Sequence, residues 1–270
     1  MSGVLGILMG IVPKRRPGLA LLAAMMMGGV LGGPAQAASL QVSPIRVEFE
    51  PTEQAQALNL SNNGTEPLEA QVRVQRWSQA DGREVLSPAD DIVASPAIVR
   101  IAPGQRQVVR LVRAHPVAGG KELSYRVLVD ELPKQQSQQE GGLKVLLRYS
   151  IPVFVAATRQ LADQATGKAS PAETDLTRVS AKLERGDNGK SQLHVRNDGI
   201  SHVRISFLSL SGSNGSRQSL GNGLIGYVLA GQEMSWPVDV AYPLAQGQTL
   251  KARFNDDREA RAVPLDNAGR

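Results

Sequence analysis

Apolar and polar side chains alternate with a period of two along nearly all of the chain after residue 38. The alternation is clearest in three segments: LQVSPIRVEF (40–49), RQVVRLVR (106–113) and LSYRVLVDEL (123–132). Turn-forming residues separate such segments at SNNGTEP (61–67), ADGRE (80–84) and APGQ (102–105). A period of two puts successive side chains on opposite faces of a strand, and no stretch after residue 38 has the period of an amphipathic helix. The chain is therefore predicted to be all-β.

A polar segment, DQATGKASPAETD (163–175), separates two groups of predicted strands. It has no strand pattern and is interpreted as a linker. The strand pattern restarts at TRVSAKLER (177–185) and continues almost to the end of the chain. Two β-sandwiches fit this arrangement better than one barrel. We predict an N-terminal domain at residues 38–157 and a C-terminal domain at residues 158–270.

The first 37 residues have the pattern of a secretory signal peptide. Three cations, Lys14, Arg15 and Arg16, precede the apolar stretch GLALLAAMMMGGVLGG, which is shorter than a membrane span. Ala35 and Ala37 fit an Ala-x-Ala site, so we predict cleavage after Ala37. A retained membrane anchor and a twin-arginine signal stay open as alternatives, as does a start codon further downstream. Cleavage lowers the formal charge from +5 to +2, because the segment holds three cations and no acidic residue.

The rest of the chain argues against several classes of function. No run of Lys and Arg with interleaved aromatic residues follows residue 37, so nucleic acid is not an expected partner. The absence of cysteine excludes disulfides, thiol catalysis and iron–sulfur clusters. The segment GNGLIG (221–226) matches a dinucleotide-binding fingerprint, but it lacks the βαβ context that this motif requires. With no catalytic motif elsewhere, we expect no enzyme activity, no cofactor and no metal site. The histidines lack metal-ligand spacing and are interpreted as solvated or loop residues: His115, His194 and His202.

One strand pattern is unusually long. From Leu143 to Val155, apolar residues recur at every second position: Leu143, Val145, Leu147, Tyr149, Ile151, Val153 and Val155. At about 3.3 Å per residue such a strand would be roughly 40 Å long. Pro152 cannot donate a hydrogen bond to a central ladder, so the strand is predicted to lie on a sheet edge. The alternative is a core strand with a bulge at Pro152, and residues 151–155 fit a core position in either case.

The order of features over the first predicted domain resembles the periplasmic pilus chaperones of the chaperone–usher pathway. The segments that carry the resemblance are SPIRVEFEP (43–51), LNLSNNGTEPLEAQVRVQRW (58–77), VASPAIVRIAPGQRQVVRLVR (93–113), SYRVLVDELP (124–133) and the variable loop KQQSQQEGG (134–142). The segment RYSIPVFV (148–155) is similar to the sequences of the archaic branch of this family. The resemblance implies two immunoglobulin-like sandwiches joined at an angle, in a protein of the periplasm whose signal peptide has been cleaved.

The resemblance also implies what the long strand does. A chaperone of this family donates an edge strand to a pilus subunit that lacks its last strand, and alternate side chains of the donor fill pockets in the subunit. In this sequence the donor residues would be Leu143, Val145, Leu147 and Tyr149. The expected partners are pilus or fimbrial subunits and an outer-membrane usher, without insertion of the mature protein into the membrane. The unbound chaperone could self-associate through the same edge, and a structural adhesin is the alternative function.

Two basic residues of the family hold the terminal carboxylate of the subunit. The first matches Arg46 and the second is assigned to Arg148, because a guanidinium can bind a carboxylate through two hydrogen bonds. An alignment shift of two residues would put Ser150 at the second position. Arg126 and Arg110 are then the substitutes that the sequence offers.

Overall fold

A computed structural model of the chain describes residues 39–115, 120–133, 146–158, 174–186 and 190–266, which lie within one compact unit. These residues form eighteen β-strands, and the all-β class is confirmed. Within the same described residues, no helix is both long enough and apolar enough to cross a membrane. The predicted signal peptide, residues 1–37, lies outside the described residues.

Ten strands form the first sandwich: β1 (Leu40–Ser43), β2 (Val47–Phe49), β3 (Ala55–Asn62), β4 (Leu68–Ala80), β5 (Arg83–Pro88), β6 (Ile92–Ser95), β7 (Ile98–Ile101), β8 (Arg106–Arg113), β9 (Leu123–Glu131) and β10 (Arg148–Val155). Sheet A has the order β1-β3-β8-β6, and sheet B has the order β2-β10-β9-β4-β5 with β7 also paired to β4. Alternate residues of both sheets point inward and form one apolar core, which includes Phe49, Leu60, Val127 and Val153.

Eight strands form the second sandwich: β11 (Val179–Arg185), β12 (Ser191–Asn197), β13 (Val203–Ser211), β14 (Arg217–Ser219), β15 (Leu224–Val228), β16 (Gln232–Val238), β17 (Thr249–Phe254) and β18 (Arg261–Ala262). Sheet C has the order β11-β12-β16, and sheet D has the order β14-β13-β17-β18 with β15 also paired to β13. Its separate core includes Leu193, Leu250 and Phe254. Two sandwiches are therefore present, whereas the boundary between residues 157 and 158 stays a prediction, because residues 159–173 lie outside the described part.

The predicted position of the long strand is only partly correct. Strand β10 pairs antiparallel with β9 along its whole described length, but its last three residues also pair in parallel with β2. Val153–Val155 are thus central, and only Arg148–Pro152 lie at an edge among the described residues. The unpaired edge ends at Val153, the first residue of β10 that pairs with the short strand β2, and Pro152 lies directly before it. The expectation that residues 151–155 belong to the core is confirmed by the burial of all five.

A third apolar cluster joins the two sandwiches. It contains Trp77 and Phe154 from sheet B and Tyr227 and Leu229 from the second sandwich. The side-chain amide of Gln79 donates to the backbone oxygen of Tyr227 (2.7 Å) and its carbonyl accepts from the backbone nitrogen of Leu229 (2.9 Å). We call this group the junction. Its hydrogen bonds satisfy buried polar groups that the contact between the sandwiches would otherwise leave unpaired.

The environment of His202 differs from the sequence-based interpretation. His202 does lie in a loop, directly before β13, but its side chain is only 11% exposed. Its ring stacks on Phe154 with 3.7 Å between the ring centroids, and its Nδ1 lies 2.9 Å from Oε1 of Glu122. A solvated role is therefore wrong for this histidine, because Phe154 and Glu122 of the first sandwich cover it, a contact that strand periodicity does not encode.

Candidate functional site

Among the described residues, the outer edge of β10 is unpaired over its first part and paired with β2 over its last part. Arg148–Pro152 have β9 on one side, and on the other side no strand pairs with them among the described residues. The ladder with β9 continues one residue further, since the backbone nitrogen of Glu131 donates to the oxygen of Leu147 (2.9 Å). A row of backbone groups is thus available for another strand, which is the geometry that β-strand addition requires.

The inward face of β10 runs from the core of the first sandwich to its rim. Ile151 is buried in this core, whereas Tyr149 and Leu147 are partly buried and pack against it. The Tyr149 hydroxyl donates to the backbone oxygen of Leu40 at 2.6 Å. The other two predicted donor residues, Leu143 and Val145, lie outside the described residues.

Arg46 lies directly before β2 and contacts the second sandwich. Its Nε is 2.8 Å from Oε1 of Glu48, and a terminal nitrogen is 3.2 Å from Oδ2 of Asp256, in the loop after β17. Asp256 also binds Arg204 at 2.8 Å. Burial alone would lower the pKa of Arg46, but Glu48 and Asp256 outweigh it and raise this pKa above its ordinary value. A carboxylate of the chain itself thus occupies the candidate anchor.

Arg148 forms the other part of the candidate site. Its Nε contacts Asp130 on β9, which is also bound by Arg73 on β4 (2.6 Å), and 66% of the Arg148 side chain is exposed. Burial alone would raise the pKa of Asp130, but the hydrogen bonds and charges of Arg73 and Arg148 hold it below its usual range. The guanidinium of Arg148 is therefore accessible but already paired with a carboxylate.

The strand register determines how far apart the two predicted anchors lie. The parallel register of β2 and β10, continued by one residue, places Arg46 opposite Pro152. Arg148 is four residues further along β10, or about 13 Å at about 3.3 Å per residue. Because side chains alternate, Arg46 and Arg148 lie on the same outer face of sheet B. The structure thus places them on one face, but not side by side.

The alternatives to Arg148 differ in their surroundings. Ser150 is on the same face and two residues closer to Arg46. Arg126 is paired directly with Pro152, but its guanidinium lies 3.6 Å above the Trp77 ring and binds Glu84 at 2.8 Å. Arg110 is on β8 in sheet A, so it is not brought to this face.

Sequence reasoning missed the acidic residues of the site. Asp130 is next to the predicted donor strand in space, and Asp256 is 210 residues from Arg46 along the chain. The sequence pattern does not distinguish Asp256 from other turn residues, because FNDD (254–257) is typical of an ordinary turn after a strand. The Asp130 contact depends on the pairing of β10 with β9, and the Asp256 contact depends on how the two sandwiches pack.

Comparisons with known proteins give one family and one group of structures. Residues 39–158 match the family model of the pili and flagellar-assembly chaperone, PapD N-terminal domain. A search of curated proteins found no match. Among solved structures, one match is a chain of the CsuC–CsuE chaperone–tip adhesion subunit pre-assembly complex, from the archaic chaperone–usher Csu pili of Acinetobacter baumannii. It is 25% identical to this chain with a TM-score of 0.63, and the match covers 84% of this chain and 98% of that one.

Two further chaperones share the fold at lower identity. The CupB2 chaperone of Pseudomonas aeruginosa is 19% identical with a TM-score of 0.53, and the match covers 84% of this chain and all of that one (100%). The E. coli chaperone DraB is 17% identical with a TM-score of 0.53, covering 84% of this chain and 98% of that one. Both sandwiches therefore have counterparts in solved structures.

Proposed function

Residues 39–158 belong to the PapD N-terminal domain family of pili and flagellar-assembly chaperones, and from this premise we propose that the chain is a periplasmic chaperone that caps pilus subunits with β10 and delivers them to an outer-membrane usher. The observation that carries the proposal is the edge of β10 at Arg148–Pro152, which has no strand partner on one side among the described residues. The similarity to the archaic Csu pili complex supports placing the protein in the archaic branch.

In this proposal the subunit adds its own strands to the edge of β10. Backbone hydrogen bonds give affinity, and the alternate side chains of Leu143, Val145, Leu147 and Tyr149 give specificity. Each aliphatic side chain that the subunit buries contributes about 1.5–3 kcal/mol before the costs of ordering. Tyr149 and Leu147 already pack against the core of the chaperone, so we expect Leu143 and Val145 to carry most of the new contact, with a smaller part from Leu147 at the rim.

The terminal carboxylate of the subunit would bind at Arg46, with Arg148 as the second anchor. Arg46 is partly buried between the two sandwiches, where a charge-assisted hydrogen bond is stronger than in water. To bind there, the carboxylate of the subunit has to replace or join Asp256. The spacing of about 13 Å along the strand supports Arg46 as the primary contact and Arg148 as a contact at the rim.

Periplasmic location rests on the predicted signal peptide and on the family. We expect the mature protein to begin at Ala38. N-terminal sequencing of protein recovered from the periplasm tests this, and a mature N-terminus that keeps Lys14–Arg16 would contradict it.

The chaperone function is tested by periplasmic co-expression of the tagged chain with a pilus subunit from the same bacterium. We expect a one-to-one complex by size-exclusion chromatography and mass spectrometry, and degradation of the subunit when the chain is omitted. A structural adhesin would instead form polymers of this chain without stabilising a subunit. That result, or a subunit that is equally stable alone, would refute the proposal.

A further inference from the structure

A cluster of cations lies on the outer face of sheet D, away from the candidate subunit site. Arg217 on β14, Lys251 and Arg253 on β17, and Arg258 in the following loop line an open cleft of about 490 Å³. Glu259 is the only acidic residue in this lining. The cleft therefore has four cations and one carboxylate, a formal charge of +3.

Small hydroxyl side chains line the cleft at Ser211 and Ser216, and others lie on β13 beside the cations of β17. The register places Ser206 opposite Arg253 and Ser209 opposite Lys251, and both serines are buried. Arg217 donates from Nε to the Ser209 hydroxyl at 3.2 Å, which fixes the orientation of this guanidinium. The hydroxyls of Ser206 and Ser209 donate to the backbone oxygens of Arg253 (3.4 Å) and Lys251 (3.5 Å), so the donors left for a ligand are the cationic groups themselves.

In the described part of the chain, these cations lack the carboxylate partners that several other surface arginines have. Arg46, Arg73 and Arg126 each bind a carboxylate, whereas in the described part of the chain none of the four cations of the cleft is within 4.0 Å of one. Unpaired like charges repel one another and lower the stability of the fold. A bound anion would remove this repulsion.

We propose that this cleft binds a phosphate-bearing ligand. A carboxylate offers two oxygens and one charge, whereas a phosphate monoester offers three terminal oxygens and up to two charges. A phosphodiester of a lipid headgroup offers two terminal oxygens and one charge, and a lipid surface presents several such headgroups side by side. Guanidinium groups bind phosphate through two parallel hydrogen bonds, and lysine adds a point charge. The charge and the number of donors in the cleft therefore match phosphate better than a single carboxylate.

The phosphate group could belong to a soluble phosphate compound or to the headgroup of an anionic phospholipid. Phe207, which is 42% exposed, lies beside Arg253 of the cleft. The Arg253 guanidinium is 4.8 Å from the centre of the Phe207 ring, and Phe207 has a φ of 54°, which is unfavourable for a bulky residue. Exposed apolar side chains would contact only a lipid surface, so they allow the two sources to be distinguished.

The test uses the mature chain and two probes. Thermal unfolding is followed with pyrophosphate against sodium chloride at equal ionic strength, and co-sedimentation is measured with vesicles of phosphatidylglycerol and phosphatidylcholine against phosphatidylcholine alone. We expect the protein to be stabilised by pyrophosphate or retained by the anionic vesicles. The double variant Lys251→Gln/Arg253→Gln should lose at least about tenfold in affinity, in line with the loss of two charge-assisted contacts. Arg106→Gln, which removes an exposed cation on β8, is the matched control.

Phe207→Ser separates the sources. Loss of vesicle binding with an unchanged response to pyrophosphate identifies a lipid headgroup, and an unchanged affinity for both probes identifies a soluble phosphate compound. The proposal is overturned if neither probe binds, or if the double variant and Arg106→Gln behave alike. Because subunit capture is a separate measurement at β10, failure of either proposal is distinguishable from failure of the other.

Discussion

Arg46 and Arg148 have different surroundings, and we expect them to contribute unequally to subunit binding. The Arg46 side chain is 28% exposed between the sandwiches, whereas Arg148 is 66% exposed. Arg46→Ala should therefore weaken subunit binding by about 2–5 kcal/mol, as for a buried charge pair, and Arg148→Ala by less. The measurement is subunit retention in a pull-down, together with a dissociation constant for the purified complex.

The control for these variants is Arg100→Ala, which removes an exposed arginine from β7. It should retain the subunit at the wild-type yield. If Arg46→Ala retains the subunit equally well, the carboxylate anchor is assigned incorrectly. If only Arg148→Ala has no effect, the two-residue shift that places Ser150 at the second position becomes the better alignment.

Asp256 competes with the subunit in our proposal, since its carboxylate binds Arg46 in the unbound chain. Asp256→Asn keeps the shape of the side chain and removes its charge. We expect this variant to bind the subunit more tightly, by a few-fold, because no internal carboxylate has to be displaced. Glu259→Gln, which lies in the sheet D cleft, is the control. Weaker subunit binding by Asp256→Asn with an unchanged melting temperature would contradict the competition.

The ion pairs of Asp130 predict how the free energy of unfolding depends on pH. Its pKa is lowered in the folded state, so its contribution to the free energy of unfolding is present above the unfolded-state pKa of about 4 and is lost as the pH falls through the folded-state pKa. Asp130→Asn should therefore unfold at lower urea concentration than the wild type at pH 7, with a difference that shrinks by about pH 2. An equal difference at both pH values would contradict the ion-pair explanation.

Strand β10 combines a binding edge with a core segment, and substitutions along it should have graded effects. Ile151 is buried, so Ile151→Asp places a carboxylate in the core and should unfold the protein, at a cost of several kcal/mol. Leu147 is partly buried at the rim, so Leu147→Asp should remain folded with a modest loss of stability. Its subunit binding should fail, because the subunit would have to bury an unpaired charge.

Thermal unfolding and a subunit pull-down of both variants separate the two segments. The alternative, in which the whole strand belongs to the core, predicts that Leu147→Asp unfolds as Ile151→Asp does. Val145→Asp extends the series beyond the described residues, where we expect full stability and no binding.

At the scale of the whole molecule, the packing of the two sandwiches against each other depends on the junction. Gln79→Ala would leave the backbone oxygen of Tyr227 and the backbone nitrogen of Leu229 without their partner, at about 1–3 kcal/mol for each group. Because each sandwich has its own core, we expect urea unfolding of this variant to separate into two transitions. Gln107→Ala, an exposed change on β8, should unfold like the wild type. A single transition at an unchanged urea concentration would contradict this role.

Much of the fold could be predicted from the sequence because its signals are local. The strand pattern RQVVRLVR corresponds to the full extent of β8, and LSYRVLVDEL corresponds to β9 except for its last residue. In the turn ADGRE, Asp81 and Gly82 have φ angles of 52° and 68°, the left-handed values that an Asp-Gly hairpin requires. The family resemblance read from the order of such segments is also confirmed over residues 39–158.

Other features were decided only by the tertiary structure. The segment LQVSPIRVEF looks like one strand, but it divides into β1 in sheet A and β2 in sheet B. The pairing of β2 then makes the last three residues of β10 central, which its alternation alone could not reveal. Local sterics and alternation act over a few residues, so their effects can be predicted directly from the sequence. Strand partners depend instead on which distant segments pack together within a sandwich, and the Arg46–Asp256 contact and the burial of His202 depend on how the two sandwiches meet. The free energy of both comes from burial that exists only in the assembled tertiary structure.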